Sequence, residues 1–315
     1  MASMQAGLHL PQVDLTGDGL SYRRLVGAVD AARDCGFVAV SANDHLFFDA
    51  PWLDGPSALA AVVERAGPLT LATTVSLPTL RGPVQLARTL LALDVLSEGR
   101  LVAGVGAGSS QRDYAAAGVP FEQRWERFDE AVGVLRALLS GAPPGPGRHY
   151  AVPILPLETP RETEAPLRRI PLWVGSWGSP AGLRRVARLG DGWLASAYNT
   201  TPARFALAMK DLHRALETRG RSPDGFPHAL VTMWTWITED AREAEQVIEE
   251  SLAPLLHRDP SELRGRVCVG SAQLCAELLS EYALAGCDRV HFWPLRAERR
   301  QVELLASEVL PHVHA

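Results

Sequence analysis

One pattern constrains this chain more than any other. A short apolar run, a turn and an amphipathic helix follow one another eight times. The runs lie at residues 5–10, 37–41, 69–75, 101–105, 171–174, 192–196, 228–236 and 289–293. Most are continuous and rich in Val, Leu, Ala and Trp rather than alternating, as expected of parallel strands buried on both faces. Helical periodicity fills 20–35, 56–66, 83–97, 124–139, 180–189, 202–219, 240–256, 271–285 and 298–309. Pro83, Pro180 and Pro202 open helices, and Gly36, Gly99, Gly190 and Gly286 stop them. Eight strand–helix units predict a (β/α)8 TIM barrel, with an open eight-stranded sheet as the alternative. The rhythm breaks once, in a Pro/Gly-rich stretch at about 140–170, read as an irregular insertion in one domain spanning 1–315.

Composition narrows the class. The 315 residues are 47% apolar and 21% charged, with a net charge of −5. That balance suits a large globular core and gives no sign of a nucleic-acid or anionic-membrane partner. No apolar run is long enough for a membrane span, and no secretory leader is visible. Cys35, Cys268, Cys275 and Cys287 form no CxxC pair and read as small buried hydrophobes of a reducing cytoplasm. The histidines show no metal-ligand spacing, so no metal is expected.

In a barrel, function belongs at the strand C-termini. Those ends carry Asp44-His45, Thr74-Val75, Gly106-Ala-Gly108 and Val174-Gly-Ser-Trp-Gly-Ser-Pro180. In the last, side chains are small at Gly175, Ser176 and Gly178, and Ser179-Pro180 starts a helix. Bare amides at a helix N-terminus suit a phosphate; an ordinary tight turn is the plain alternative. His45 is the leading catalytic candidate because imidazole titrates near neutrality, and Asp44 would orient it or bind a ring edge. His9 faces either the pocket or the core. Trp193, Trp236 and Trp293 stand near the rim, and Trp234 and Trp236 share a strand face, lining the pocket or filling the barrel. Arg184, Arg185 and Arg188 read as a solvated face, Asp94 and Arg100 as structural, and Arg81 and Arg124 as ambiguous. A dinucleotide reading of the glycines at 104–108 lacks its acidic partner.

Asp44-His45, Leu93-Asp-Val-Leu-Ser-Glu-Gly-Arg100, Gly104-Val-Gly-Ala-Gly108, Gly118-Val-Pro-Phe-Glu-Gln-Arg124 and Gly190-Asp-Gly-Trp193 occur in that order. Together they resemble the bacterial luciferase-like superfamily, nearest its F420-dependent branch, over about residues 5–295. The resemblance implies a barrel, often homodimeric, that holds F420 or FMN and acts on a small organic substrate. Carried over, Gly175, Ser176, Gly178, Ser179 and Gly182 would cradle the cofactor phosphate. Thr74 and Val75 fall where that branch often has a non-prolyl cis peptide behind the ring, and Gly106 and Gly108 would admit the cofactor closely. Two positions depart from the sugar-phosphate dehydrogenases of the branch. Ser109 replaces a glutamate base, which argues against that substrate. Arg112 replaces an asparagine and would pair with a charged cofactor tail. The reading is F420-linked hydride transfer with His45 managing a proton. The alternatives are an FMN-dependent monooxygenase, a non-catalytic flavin-binding relative, and a cofactor-free lyase using Asp44 or His45 as base.

Overall fold

The computed structural model describes residues 4–15, 17–152 and 169–314. Its parallel strands are β1 (Gln5–His9), β2 (Ala39–Ala42), β3 (Thr70–Thr73), β4 (Leu101–Val105), β5 (Leu172–Gly175), β6 (Gly192–Ser196), β7 (His228–Ile237), β8 (Cys268–Gly270) and β9 (Arg289–Pro294). Eight close into a barrel in the order β1-β2-β3-β4-β5-β6-β7-β9, with β9 returning to β1. The (β/α)8 expectation holds, and the open sheet is excluded by the β1–β9 and β6–β7 pairings.

The helices are α1 (Tyr22–Asp34), α2 (Gly55–Ala66), α3 (Pro78–Arg81), α4 (Pro83–Leu96), α5 (Gln111–Ala116), α6 (Arg124–Leu139), α7 (Pro180–Leu189), α8 (Pro202–Glu217), α9 (Ala241–Gln246), α10 (Ala253–Leu256), α11 (Pro260–Leu263), α12 (Ala272–Leu284) and α13 (Glu298–Leu304). Local chemistry sets their starts. Asp54, Ser179, Thr201 and Ser271 each accept a hydrogen bond from an amide in the first turn, and such a cap contributes about 1 kcal/mol.

The departures from expectation have local causes. The helix expected over 240–256 is interrupted by a π-type turn at Val247–Leu252. Pro254 follows, and it has no N–H to return to Glu250. β8 was not expected: three residues are too few to carry a periodicity. It extends β7 at Thr235–Ile237, beyond the stretch where β7 pairs β6. Between the two, the register of β7 on β9 shifts, and Thr232 takes a left-handed φ of 59°. β3 stops at Thr73 and the next peptide, Thr74–Val75, is cis. Most of the expected insertion, 153–168, lies outside the described residues.

The main core lies between strands and helices: Val40, Leu71, Val105, Val174 and Val290 pack against Leu59, Leu86, Leu135 and Leu279. Inside the barrel the filling is partly polar. His291 packs so closely on Gly7 that a Cβ there would come 2.8 Å from its ring, and its Nδ1 meets Ser41 Oγ at 2.9 Å. His9 stacks on Trp293 at 3.4 Å. Burial lowers both imidazoles to about 3, so both are neutral at pH 7.

Candidate active site

A cavity of about 690 Å³ opens at the strand C-termini, walled by the segments that follow β2 to β7. It is within the size range of small-molecule sites. Its floor is built around Val75. A Cβ on Gly106 would come 2.5 Å from Val75 Cγ2, and one on Gly175 would come 3.1 Å from Cγ1. Glycine at these positions is what lets Val75 project between β4 and β5. Thr74 also lines the cavity, and its buried Oγ1 has no hydrogen-bond partner among the described residues.

The N-terminus of α7 forms a second wall. Ser176, Ser179 and Gly182 line the cavity. Ser179 Oγ accepts from Gly182 N at 3.2 Å, and Ser176 Oγ accepts from Gly178 N at 3.2 Å. Gly182 lacks a Cβ because one would come 2.2 Å from Ser176 Oγ. Among the described residues the amides of Ser179 and Ala181 make no hydrogen bond. The cradle is therefore narrower than expected. Gly178 does not line the cavity: it takes φ +87°, backs onto Ala208 and spends its N–H on Ser176. Its glycine serves the turn.

Cations gather on this side. Arg124 stacks over Phe121 at 4.0 Å and donates to its carbonyl at 3.0 Å, with no carboxylate partner among the described residues. Arg185 lies over Trp125 at 4.5 Å and donates to Asp129 Oδ1 at 2.5 Å; Arg188 donates to Asp129 Oδ2. Arg185 and Arg188 thus tie α7 to α6; Arg184 and Arg188 are exposed as expected, whereas Arg185 is half-buried and lines the cavity, a correction of the solvated face. Arg112 does not. One helix position from Asp113, it turns outward and pairs with Asp49 at 2.7 Å.

On the opposite wall His45 is held in one orientation. Its Nδ1 lies 2.9 Å from Asp113 Oδ2, and Asp113 is 1% exposed. The other carboxylate oxygen accepts from Phe47 N at 2.8 Å. A buried acceptor-only carboxylate makes Nδ1 the donor, which leaves Nε2 as the basic nitrogen. Phe48 and Trp52 flank the ring at 5.1 Å each.

Asp44 is not the residue that orients His45. Its oxygens accept from Arg81 Nε at 2.5 Å, Arg81 Nη2 at 2.7 Å and Leu77 N at 3.3 Å. The hydrogen bond to Asp44 raises the Arg81 guanidinium above its ordinary value, and Asp54 adds to it. Asp44 lines the cavity with both carboxylate oxygens held by Arg81. Arg100 is structural, donating to Leu69 O at 2.7 Å. His9 faces the core, 0% exposed.

The tryptophans expected at the rim are elsewhere. Trp193 stacks on Phe205 under α8, Trp293 lies between His9 and Trp234, and Trp236 meets Arg296. Trp125 and Trp177 are the tryptophans that line the cavity. Gly108 and Ser109 line it as expected. Asp113 was missed. The spacing Ser110-x-x-Asp113 reads as a helix cap, and Ser110 Oγ does accept from Asp113 N at 3.1 Å. Only the fold turns its carboxylate to His45, 68 residues away.

Residues 4–266 match the profile of the luciferase-like monooxygenases. The chain belongs to that family. Within it, the chain is 27% identical over 329 aligned positions to the F420-dependent glucose-6-phosphate dehydrogenase of Beutenbergia cavernae, covering 93% of this chain and 94% of that one. It is 29% identical over 210 positions to the F420-dependent hydroxymycolic acid dehydrogenase of Mycobacterium tuberculosis, covering 64% of this chain but 55% of the relative. The chain therefore spans about half the length of that relative. The fold superposes on an F420-dependent secondary alcohol dehydrogenase in complex with an F420-acetone adduct, with a TM-score of 0.84, 17% identity and full coverage of both chains. At that identity the likeness is one of fold.

Proposed function

We propose that this luciferase-like protein is an F420-dependent oxidoreductase that transfers a hydride between the deazaflavin and a small organic substrate. The observation that carries the reading is His45: Asp113 fixes its tautomer, and it shares one cavity with the Val75 floor and the α7 N-terminus. The residues fit such a cofactor. The glycines at 106 and 175 give way to Val75, so its isopropyl group is the side chain this wall offers to a ring. Thr74 Oγ1 is a buried polar atom in want of a partner for a ring edge. Arg124 and the amides of Ser179 and Ala181 offer charge and donors to a phosphate.

When bound, the deazaflavin supplies the hydride donor or acceptor. The chain's residues do the rest. Val75 and the glycines at 106 and 175 would back the ring. Trp125 and Trp177 narrow the mouth against water. His45 Nε2 takes the proton of a substrate hydroxyl during oxidation, or returns it during reduction. Asp113 stabilises the imidazolium so formed, and positioned proton transfer of this kind is worth about 10²- to 10⁴-fold.

Titration of the purified protein with F420 and with FMN, followed by cofactor fluorescence, tests the assignment. Micromolar F420 binding at least tenfold tighter than FMN is the expected result. The reverse order converts the reading to an FMN-dependent monooxygenase, and no binding of either removes the redox role. The homodimer implied by the family resemblance belongs to the same proposal and is checked by light scattering.

A further inference from the structure

The cavity's charged residues are unevenly placed. Asp44 and His45 come from the loop after β2, Asp113 from α5, and Arg124 and Arg185 from α6 and α7. The wall supplied by β6 and β7, across the barrel from β2, carries Leu194, Ser196, Tyr198, Val231 and Thr232, none of them charged. Burial raises the Tyr198 phenol above its ordinary value, so it too is neutral at pH 7.

The hydrogen bonds behind this wall have a direction. Arg258 Nη2 donates to Asn199 Oδ1 at 2.9 Å, which makes Asn199 Nδ2 the donor to Ser196 Oγ at 3.0 Å. Thr232 donates its own hydrogen to Val231 O at 2.6 Å. Ser196 and Thr232 are 3.1 Å apart, so Ser196 is the donor and Thr232 Oγ1 the acceptor. Both hydroxyl hydrogens are thus committed within the protein. What remains on Ser196 and Thr232 is lone pairs. Thr232 reaches this place through the left-handed φ of 59° at the point where β7 changes partner from β6 to β8. A β-branched residue is a genuine outlier in that region, and such conformations cluster at functional sites.

We propose that Ser196 and Thr232 form an acceptor seat for a neutral, hydroxyl-bearing substrate, and that this wall rejects phosphorylated and carboxylated compounds. A substrate hydroxyl donates to Thr232 Oγ1. A phosphate or carboxylate, having only acceptors to offer, meets lone pairs there, and the cation behind the wall among the described residues, Arg258, is engaged by Asn199 and Glu262. The inference rests on the redox reading of the cavity and adds its substrate class.

The test uses cyclohexanol and its anionic counterpart cyclohexanecarboxylate, together with glucose and glucose 6-phosphate. Ligand-observed NMR measures their binding to the full chain with and without F420, and turnover is followed by F420 fluorescence. With F420 bound, and so with the phosphate site at Arg124 and α7 filled, the neutral hydroxyl compound of each pair is expected to bind at least about tenfold tighter than its anion. Thr232→Val and Ser196→Ala should each weaken cyclohexanol by about five- to tenfold, the worth of one hydrogen bond, while the F420 Kd stays unchanged. Equal or tighter binding of the anions overturns the inference, as does unaltered cyclohexanol binding in both variants. Using two variants covers the event that one of them misfolds. Failure of F420 itself to bind overturns the functional reading separately, because cyclohexanol binding to wild type, Thr232→Val and Ser196→Ala is also compared without cofactor.

Discussion

At the scale of single residues, the account divides two neighbouring side chains that sequence alone treats as a pair. Asp44 and His45 are adjacent, yet each answers to a different partner: Arg81 clamps Asp44, and Asp113 aims His45. Replacing His45 by Ala should lower turnover by about 10²- to 10⁴-fold with little change in F420 affinity. Asp113→Asn should cost less in rate but alter the pH profile, because the amide can turn its NH₂ toward Nδ1 and favour the wrong tautomer. Stopped-flow rates across pH 5–9 separate the two effects. Asp44→Asn should act mainly on stability. It leaves the half-buried Arg81 guanidinium short of a partner, at a cost of about 2 kcal/mol after allowance for its partial exposure to solvent. A shift in urea midpoint with turnover kept within about tenfold is the expected signature.

At the scale of elements, β7 is where local preference yields to the barrel. It must pair β6 with one half and β8 with the other, and Thr232 at the junction takes a conformation better suited to glycine. Thr232→Gly should therefore raise stability by about 1 kcal/mol, read as a higher thermal midpoint, while weakening the substrate seat. The contrast between β7 and α7 shows what the sequence makes legible. Ser179-Pro180 announces the start of α7 because capping is chemistry between neighbours, and the helix runs where the pattern puts it. Eight strands were equally visible because each is a continuous buried run. The His45–Asp113 pair, the Arg81–Asp44 clamp and the Ser196–Thr232 contact join residues 36 to 68 positions apart. Their meeting depends on how the ring closes, and no local pattern encodes it. Arg112 illustrates the same limit: on α5 beside Asp113, it still turns away from the cavity to Asp49.

At the scale of the whole molecule, closure of the ring buries groups that an open sheet would leave wet. His9 and His291 sit inside the barrel with their imidazoles lowered to about 3 by burial. In the unfolded chain they take up protons near pH 6.5, and in the folded chain they do not until about pH 3. The unfolded state thus binds more protons throughout that window, and stability falls as pH is lowered from about 6.5 toward 3. Each histidine contributes at most about 1.4 kcal/mol per pH unit. Urea midpoints measured from pH 7 to pH 4 should drop, and His291→Gln should flatten the slope. A pH-independent midpoint would show that these imidazoles are solvated.

The central claim is that a flavin-type ring lies on the floor formed by Val75 and the glycines at 106 and 175. The most direct measurement is the F420 fluorescence titration of wild type and of Gly106→Val, with melting temperatures recorded in parallel. A side chain at 106 would press into Val75. The account predicts micromolar binding by wild type and a loss of at least about tenfold in a folded G106V protein. Equal affinity in the two folded proteins would contradict it, because the ring would then lie somewhere other than this floor.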